Sequence, residues 1–140
     1  MYAGGAPAVH ADIEIASIPN RDGQQLRNDL IDRLNPRGRP AEARYILNIE
    51  PLKTTSTDLG IQKDATVTRT EIEIEAHVVL KEKGTDVILL DRRLHAVGGY
   101  DVLDQQYATL VTRQSVTEHI LAELADDIVT ALNLSLPRAP

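Results

Sequence analysis

Hydrophobic and polar positions along the chain follow two rhythms, a period of two in some stretches and of three to four in others, and the switches between them mark its elements. Ala11–Ile18 alternates, with Ile13 and Ile15 on one side and Asp12 and Glu14 on the other, which predicts a strand. Pro19-Asn20-Arg21-Asp22-Gly23 reads as a turn, with Asn20 or Asp22 placed to cap a helix. Leu26, Leu30, Ile31 and Leu34 then lie on one helical stripe, and Pro36 and Pro40 forbid its continuation. Tyr45, Leu47 and Ile49 restart the alternation in a second strand running toward Thr57, and Asp58–Asp64 interrupts it as a loop.

Thr66–Leu80 is a long strand whose Ile72, Ile74, Ala76, Val78 and Leu80 share one parity. Lys83-Gly84-Thr85 reads as a hairpin turn, Val87–Val97 as the returning strand, and Gly98-Gly99 as its end. A turn centred on Gly84 would set Ile72 against Ala96, Ile74 against Leu94, Val78 against Leu90 and Leu80 against Ile88. The other face would then pair Glu75 with Arg93, Glu73 with His95 and His77 with Asp91. Apolar pairs on one face and opposite charges on the other suit a half-buried antiparallel hairpin.

After Tyr100–Tyr107, Val116, Ile120, Leu124, Ile128 and Leu132 recur at i+4, widened by Leu121, Ala125 and Val129, in a helix near Ser115–Leu134. The order is β-α-β-β-β-α, an α+β fold with two helices packed on one face of a four-stranded mixed sheet. The expected core holds Leu30, Leu34, Leu47, Ile72, Ile74, Ile120, Leu124 and Ile128. Residues 1–10 lack periodicity and read as a flexible linker, 11–136 as a single sandwich domain, and 137–140 as a tail.

Composition narrows the function. The chain has no cysteine, which excludes disulfides and thiolate chemistry, and four tyrosines are its only aromatic residues. A net charge of −6 argues against nucleic acid. Arg21–Arg44 is the one segment with excess positive charge, six arginines against four acids, and the place where an anionic partner would be met. No apolar run has the length of a membrane span. Met1–Ala8 has neither the basic start nor the apolar core of a signal peptide.

Candidate chemistry is sparse. His10, His77, His95 and His119 show no metal-ligand spacing, and Glu71, Glu73 and Glu75 fall on a solvated strand face. No serine sits in a G-x-S-x-G elbow, and neither glycine pair forms a phosphate loop. No cofactor is expected, and the chain reads as a binding protein rather than an enzyme. Arg92 falls in the apolar parity of its strand, where it either snorkels at a sheet edge, marks a bulge or offers a polar contact.

Four strings resemble the lipopolysaccharide-assembly lipoprotein family LptE as found in alphaproteobacteria. They are Ile18–Asn28 (IPNRDGQQLRN), Thr57–Thr66 (TDLGIQKDAT), Tyr100–Leu110 (YDVLDQQYATL) and Glu123–Ile128 (ELADDI), in family order. The resemblance implies an outer-membrane lipoprotein on the periplasmic side, anchored through a lipidated N-terminal cysteine. That cysteine and its signal peptide would precede Tyr2. It also implies two partners, the LptD β-barrel, which the family plugs, and lipopolysaccharide. The family's lipid A contacts map most nearly onto Lys63 and Arg113, with Arg69 and Arg92 as weaker candidates. The competing expectations are an auxiliary lipoprotein of a periplasmic ABC-type lipid transport system and, less consistent with the residues present, a small hydrolase.

Overall fold

The computed structural model describes residues 13–35, 43–59, 68–102 and 106–135. Its elements are β1 (Ile13–Ile15), α1 (Asn20–Leu34), β2 (Tyr45–Ile49), β3 (Lys53–Leu59), β4 (Thr68–Glu82), β5 (Ile88–Val102) and α2 (Gln106–Ser135). The 1–10 linker, the 137–140 tail and Lys63 lie outside the described residues.

The sheet is mixed, as the sequence pattern predicts. β1 runs parallel to β2, and β2 and β3 both pair antiparallel with the same edge of β4. β2 takes the second half of β4, from Ile49 against Val78 to Tyr45 against Glu82, and β3 takes the first half. The expected single second strand is therefore two, giving five strands instead of four. Pro51 sits in the three-residue gap, where its missing N–H breaks the ladder. The sheet remains four strand positions wide, because β2 and β3 share one position between β1 and β4. β5 fills the other edge of β4.

The faces of the β4–β5 hairpin are as predicted; its register is not. Ile72 lies opposite Gly98, Ile74 opposite Ala96, Ala76 opposite Leu94 and Leu80 opposite Leu90. Each residue of β4 from Ile72 to Leu80 thus meets a partner two positions beyond the expected one. Glu75 faces His95, and Arg93 faces His77. Two one-residue insertions produce the shift. The turn spans four residues, with the N–H of Glu82 donating to the carbonyl of Val87 at 3.0 Å and Gly84 at a φ of 85°. A bulge then adds Leu89, between the pairs Leu80–Leu90 and Lys81–Ile88. A shift of two preserves parity, so from Leu90 onward every side chain keeps its side of the sheet; Ile88, before the bulge, moves to the far face opposite Lys81 and is exposed.

All eight expected core residues are buried, each no more than 1% exposed. On the helix-facing side of the sheet, Ile13, Leu47, Ile74, Val78 and Leu80 form a continuous apolar layer under Leu26, Leu30, Ile120, Leu124 and Ile128. α1 is fastened to the edge strand β1 by two side chains. Arg27 Nε donates to the carbonyl of Ile15 at 3.2 Å, and buried Asn35 Nδ2 donates to that of Ile13 at 3.0 Å. Neither Asn20 nor Asp22 caps α1 through its side chain; extended Pro19 holds the cap position, and Asn20 has a left-handed φ of 72°. Arg33 Nε joins the helices, donating to Asp126 Oδ1 at 2.7 Å.

Gly98 and Gly99 do not end β5, which continues to Val102. Gly98 lies under α2, where a Cβ would fall 2.9 Å from Ile120 Cγ1 and 3.0 Å from Val116 Cγ1. The glycine lets helix and sheet approach closely. On the opposite face Gly99 gives room to the Arg69 guanidinium.

Candidate functional site

α2 begins nine residues before the stretch predicted from its core stripe. The stripe marks only the part of the helix that packs on the sheet. The described side chains of its first turns carry a different pattern: Leu110, Arg113, Gln114, Thr117, Glu118 and Leu121 recur at three- and four-residue spacing on one face. This second stripe is apolar at both ends and polar between.

It forms one wall of an open cleft of about 310 Å³. Arg21, Asp22 and Gln25 on the first turns of α1 make the opposite wall, and Thr54 of β3 and Ile72 of β4 line the base. The cleft exists because the helix layer is thin there. β3 sends only polar side chains, such as Thr54 and Ser56, toward the helices, so nothing apolar draws a helix over it.

The charges in the cleft are arranged as two cations and two anions. Arg21 and Arg113 are exposed, and among the described residues neither guanidinium has an ion-pair partner. Glu118, on the same helix as Arg113, extends its negative field to Asp29 of α1. Burial chiefly, with Asp32 and Glu118 adding repulsion, pushes the Asp29 carboxyl above its ordinary range against the hydrogen bond from Gln25 and the charge of Arg33. The cleft therefore offers two free guanidinium forks beside hydrogen-bond acceptors.

Of the four basic residues singled out in the sequence, Lys63 lies outside the described residues, and the other three do not converge. Arg113 lines the cleft. Arg69 lies on the far face of the sheet, its guanidinium over Gly99 and 3.4 Å from Asp101. Arg92 lies opposite Val78 on the edge strand β5, exposed although its parity is that of the core; the bulge is at Leu89 instead. Arg21 was not singled out. The signal for it was present in the excess of arginine between residues 21 and 44, but only the packing of α1 beside α2 shows which of those arginines shares a cleft with Arg113.

The far face of the sheet is polar. Glu71 and Glu73 are exposed there, and His77 lies between two carboxylates, 3.0 Å from Glu50 and 2.6 Å from Asp91. The Asp91 contact holds as a diagonal one, despite the corrected register. Hydrogen bonds to Asp91 first and Glu50 second hold the imidazole above its ordinary value of 6.5. Among the described residues no group of three or more His, Asp or Glu is arranged to hold a metal ion.

A helix pair on one face of a mixed sheet, with a charged cleft where the helices part, defines a small α+β domain of a kind known from bacterial lipoproteins. The fold matches a candidate lipoprotein from Caulobacter crescentus CB15 with a TM-score of 0.66 at 21% identity, covering 94% of this chain and 93% of that one. It also matches a minor lipoprotein from Acinetobacter baumannii (TM-score 0.65, 17% identity, 91% and 96% covered). Rare lipoprotein B from Shewanella oneidensis follows (TM-score 0.59, 14% identity, 87% and 93% covered). The chain belongs to the LptE lipopolysaccharide-assembly family, whose sequence model matches residues 11–132. That family is one of assembly lipoproteins and not a class of enzymes. No curated protein sequence gives a significant match.

Proposed function

We propose that the protein is a non-enzymatic outer-membrane lipoprotein that plugs the LptD β-barrel from the periplasmic side and binds lipopolysaccharide during its assembly into the outer leaflet. Family membership over residues 11–132 carries this reading. Two features support it. The far face of the sheet, with Glu71, Glu73, His77 and Asp91, is polar, and so is the interior of a large membrane barrel. The cleft presents the unpaired Arg113 to solvent, and lipid A phosphates are bound by such guanidinium groups. Lys63 is the second proposed contact; Arg69, already beside Asp101, and Arg92, on the exposed edge strand, are weaker ones.

The barrel role is tested by detergent extraction of envelopes expressing the natural, lipid-anchored protein. Co-purification of the barrel is expected, and its absence would favour an auxiliary lipoprotein of a lipid transporter. For the lipid role, Lys63→Ala/Arg113→Ala should capture less lipopolysaccharide than wild type, and capture by wild type should fall as salt is raised. Equal capture by the double variant would remove both residues from the lipid site.

A further inference from the structure

We propose that two copies of this chain pair through the free edge of β5, antiparallel and two-fold about Val97, so that their sheets become one. The proposal is independent of the cleft and of the lipopolysaccharide reading.

β5 is 15 residues long, and among the described residues only β4 pairs with it. Backbone parity tells which of its groups stand open. The carbonyl of His77 accepts from the Glu50 N–H on the β2 side, at 3.2 Å, so odd-numbered residues of β4 bond toward β2 and β3 and even-numbered ones toward β5. The even-numbered residues of β5 that face them, from Leu90 to Val102, therefore bond inward. The odd-numbered ones, from Asp91 to Asp101, turn their N–H and C=O outward. A row of such groups is a template for another strand.

The guards that usually blunt an edge are confined to one end of this one. The Leu89 bulge and Asp91-Arg92-Arg93 stand near the turn, whereas Leu94–Tyr100 contains no Asp, Glu, Lys or Arg. Val97, in the middle of that stretch, is 41% exposed on a face otherwise lined by Glu73 and His95. On the helix side Leu94 and Val102 are only partly buried. A further strand would cover all three.

Charge selects the occupant. Centring a two-fold pair on Arg92 or Arg93 sets two guanidinium groups against each other, and centring it on Ala96 sets Asp91 against Asp101. Centring it on Val97 sets Arg93 against the partner's Asp101 twice over, with no like pair. Val97 then meets the partner's Val97, and Leu94 meets the partner's Tyr100 on the helix side. Asp101 touches Arg69 through Oδ1, which leaves Oδ2 to accept from the partner's Arg93. A foreign strand would need this same order of charges; a second copy has it by symmetry. Gly98, where Val116 and Ile120 of α2 come down onto the sheet, lies beside the axis, so the two α2 helices flank it. One strand pair with one helix contact buries less than the roughly 1,600 Å² of a standard interface, so the pair forms only as concentration rises.

The test begins with sedimentation equilibrium of the 140-residue chain, which should pass from monomer toward dimer between roughly 10 μM and 1 mM. In a concentrated ¹⁵N-labelled sample the amides of Arg93, His95, Val97, Gly99 and Asp101 should exchange at least about tenfold more slowly than in a dilute one. Those of Leu94, Ala96 and Gly98, already bonded to β4, should change little. Arg93→Glu sets carboxylates together at both ends of the pair, and Asp101→Arg sets guanidinium groups together, so each variant alone should stay monomeric. Mixed in equal amounts the two should pair, because each end then joins opposite charges. A wild-type chain that is still monomeric at roughly 1 mM overturns the proposal. So does a dimer whose slowed amides are those of Thr54, Ser56 and Asp58 on β3, an Arg93→Glu variant that dimerises like wild type, or a mixture no more dimeric than its parts.

Discussion

His77 of β4 and Asp91 of β5 are diagonal neighbours across the hairpin, with Nε2 2.6 Å from Oδ1, while the other ring nitrogen of His77 lies 3.0 Å from Glu50 Oε2. Carboxylates only accept, so both contacts are hydrogen bonds only when the ring carries two protons. The imidazolium then ties β5, β4 and the residue beside the Pro51 break into one row. Arg93, the direct cross-strand partner of His77, is the one cation facing it from β5, and it opposes but does not cancel the two carboxylates.

The sign of the resulting pH dependence follows from the direction of the shift. The folded-state value of His77 is raised above the ordinary 6.5, so its stabilisation is complete below about 6.5 and is lost as pH rises through the folded value. The thermal midpoint of wild type should exceed that of His77→Gln by a nearly constant amount between about pH 5 and pH 6, where the carboxylates are still ionised. The difference should shrink steadily toward pH 9. A difference that stays level across that range would show that the clasp contributes no proton-linked stability.

Gly98 and Gly99 are adjacent in sequence and opposite in consequence. A side chain at Gly98 meets buried Ile120 from 2.9 Å, and Gly98→Val should cost about 1–3 kcal/mol, as overpacked cores do. The atoms nearest to a Cβ at Gly99 belong to the Arg69 guanidinium, from 2.8 Å, which is the end of an exposed, flexible side chain and can swing away. Gly99→Ala should change stability by no more than about 0.5 kcal/mol. Urea unfolding of the two variants decides it; equal losses would contradict the packing of α2 on β5.

The same contrast separates what was legible in the chain from what was not. Parity is written in every second residue, so Ile72, Ile74, Ala76, Val78 and Leu80 could be assigned to one face without knowing their partners. Register depends on two local insertions, a fourth turn residue and the Leu89 bulge, and neither changes the alternation enough to be seen. Gly98-Gly99 reads as a stop because glycine weakens a strand, yet here one glycine admits a helix and the other an arginine. The first turns of α2 carry no core stripe, because their described side chains line a cleft instead of the core. Arg113 was found by its residue type and by family resemblance. Arg21 needed the packing of two helices, because Arg113 stands 92 residues further along the chain.

The helix–helix contact gives a further test of where stability resides. Arg33 is 29% exposed on its side chain and Asp126 68%, so their 2.7 Å ion pair is largely open to water. A double-mutant cycle with Arg33→Gln and Asp126→Asn should return a coupling of about 0.2–1 kcal/mol that declines in high salt. A coupling well above that range would mean that the bonds from Arg33 to the carbonyls of Asp29 and Ala122 act together with the pair.

By contrast, the apolar stripe two residues before Asp126 should dominate. Leu124 is fully buried between the helices and the sheet, and removing three of its carbons leaves a cavity as well as a lost transfer term. Leu124→Ala should therefore cost about 2–5 kcal/mol. Leu134, on the same helix but 78% exposed, supplies the control, since Leu134→Ala loses almost no burial and should stay within about 0.5 kcal/mol. Both variants keep the charge and the cleft residues unchanged, so neither should alter ligand affinity measured below its unfolding transition. Denaturant curves with equal slopes and well-separated midpoints are expected, because a change in midpoint alone reports stability. Coincident midpoints for the two variants would place Leu124 at the surface and refute the packing of α2 on the sheet.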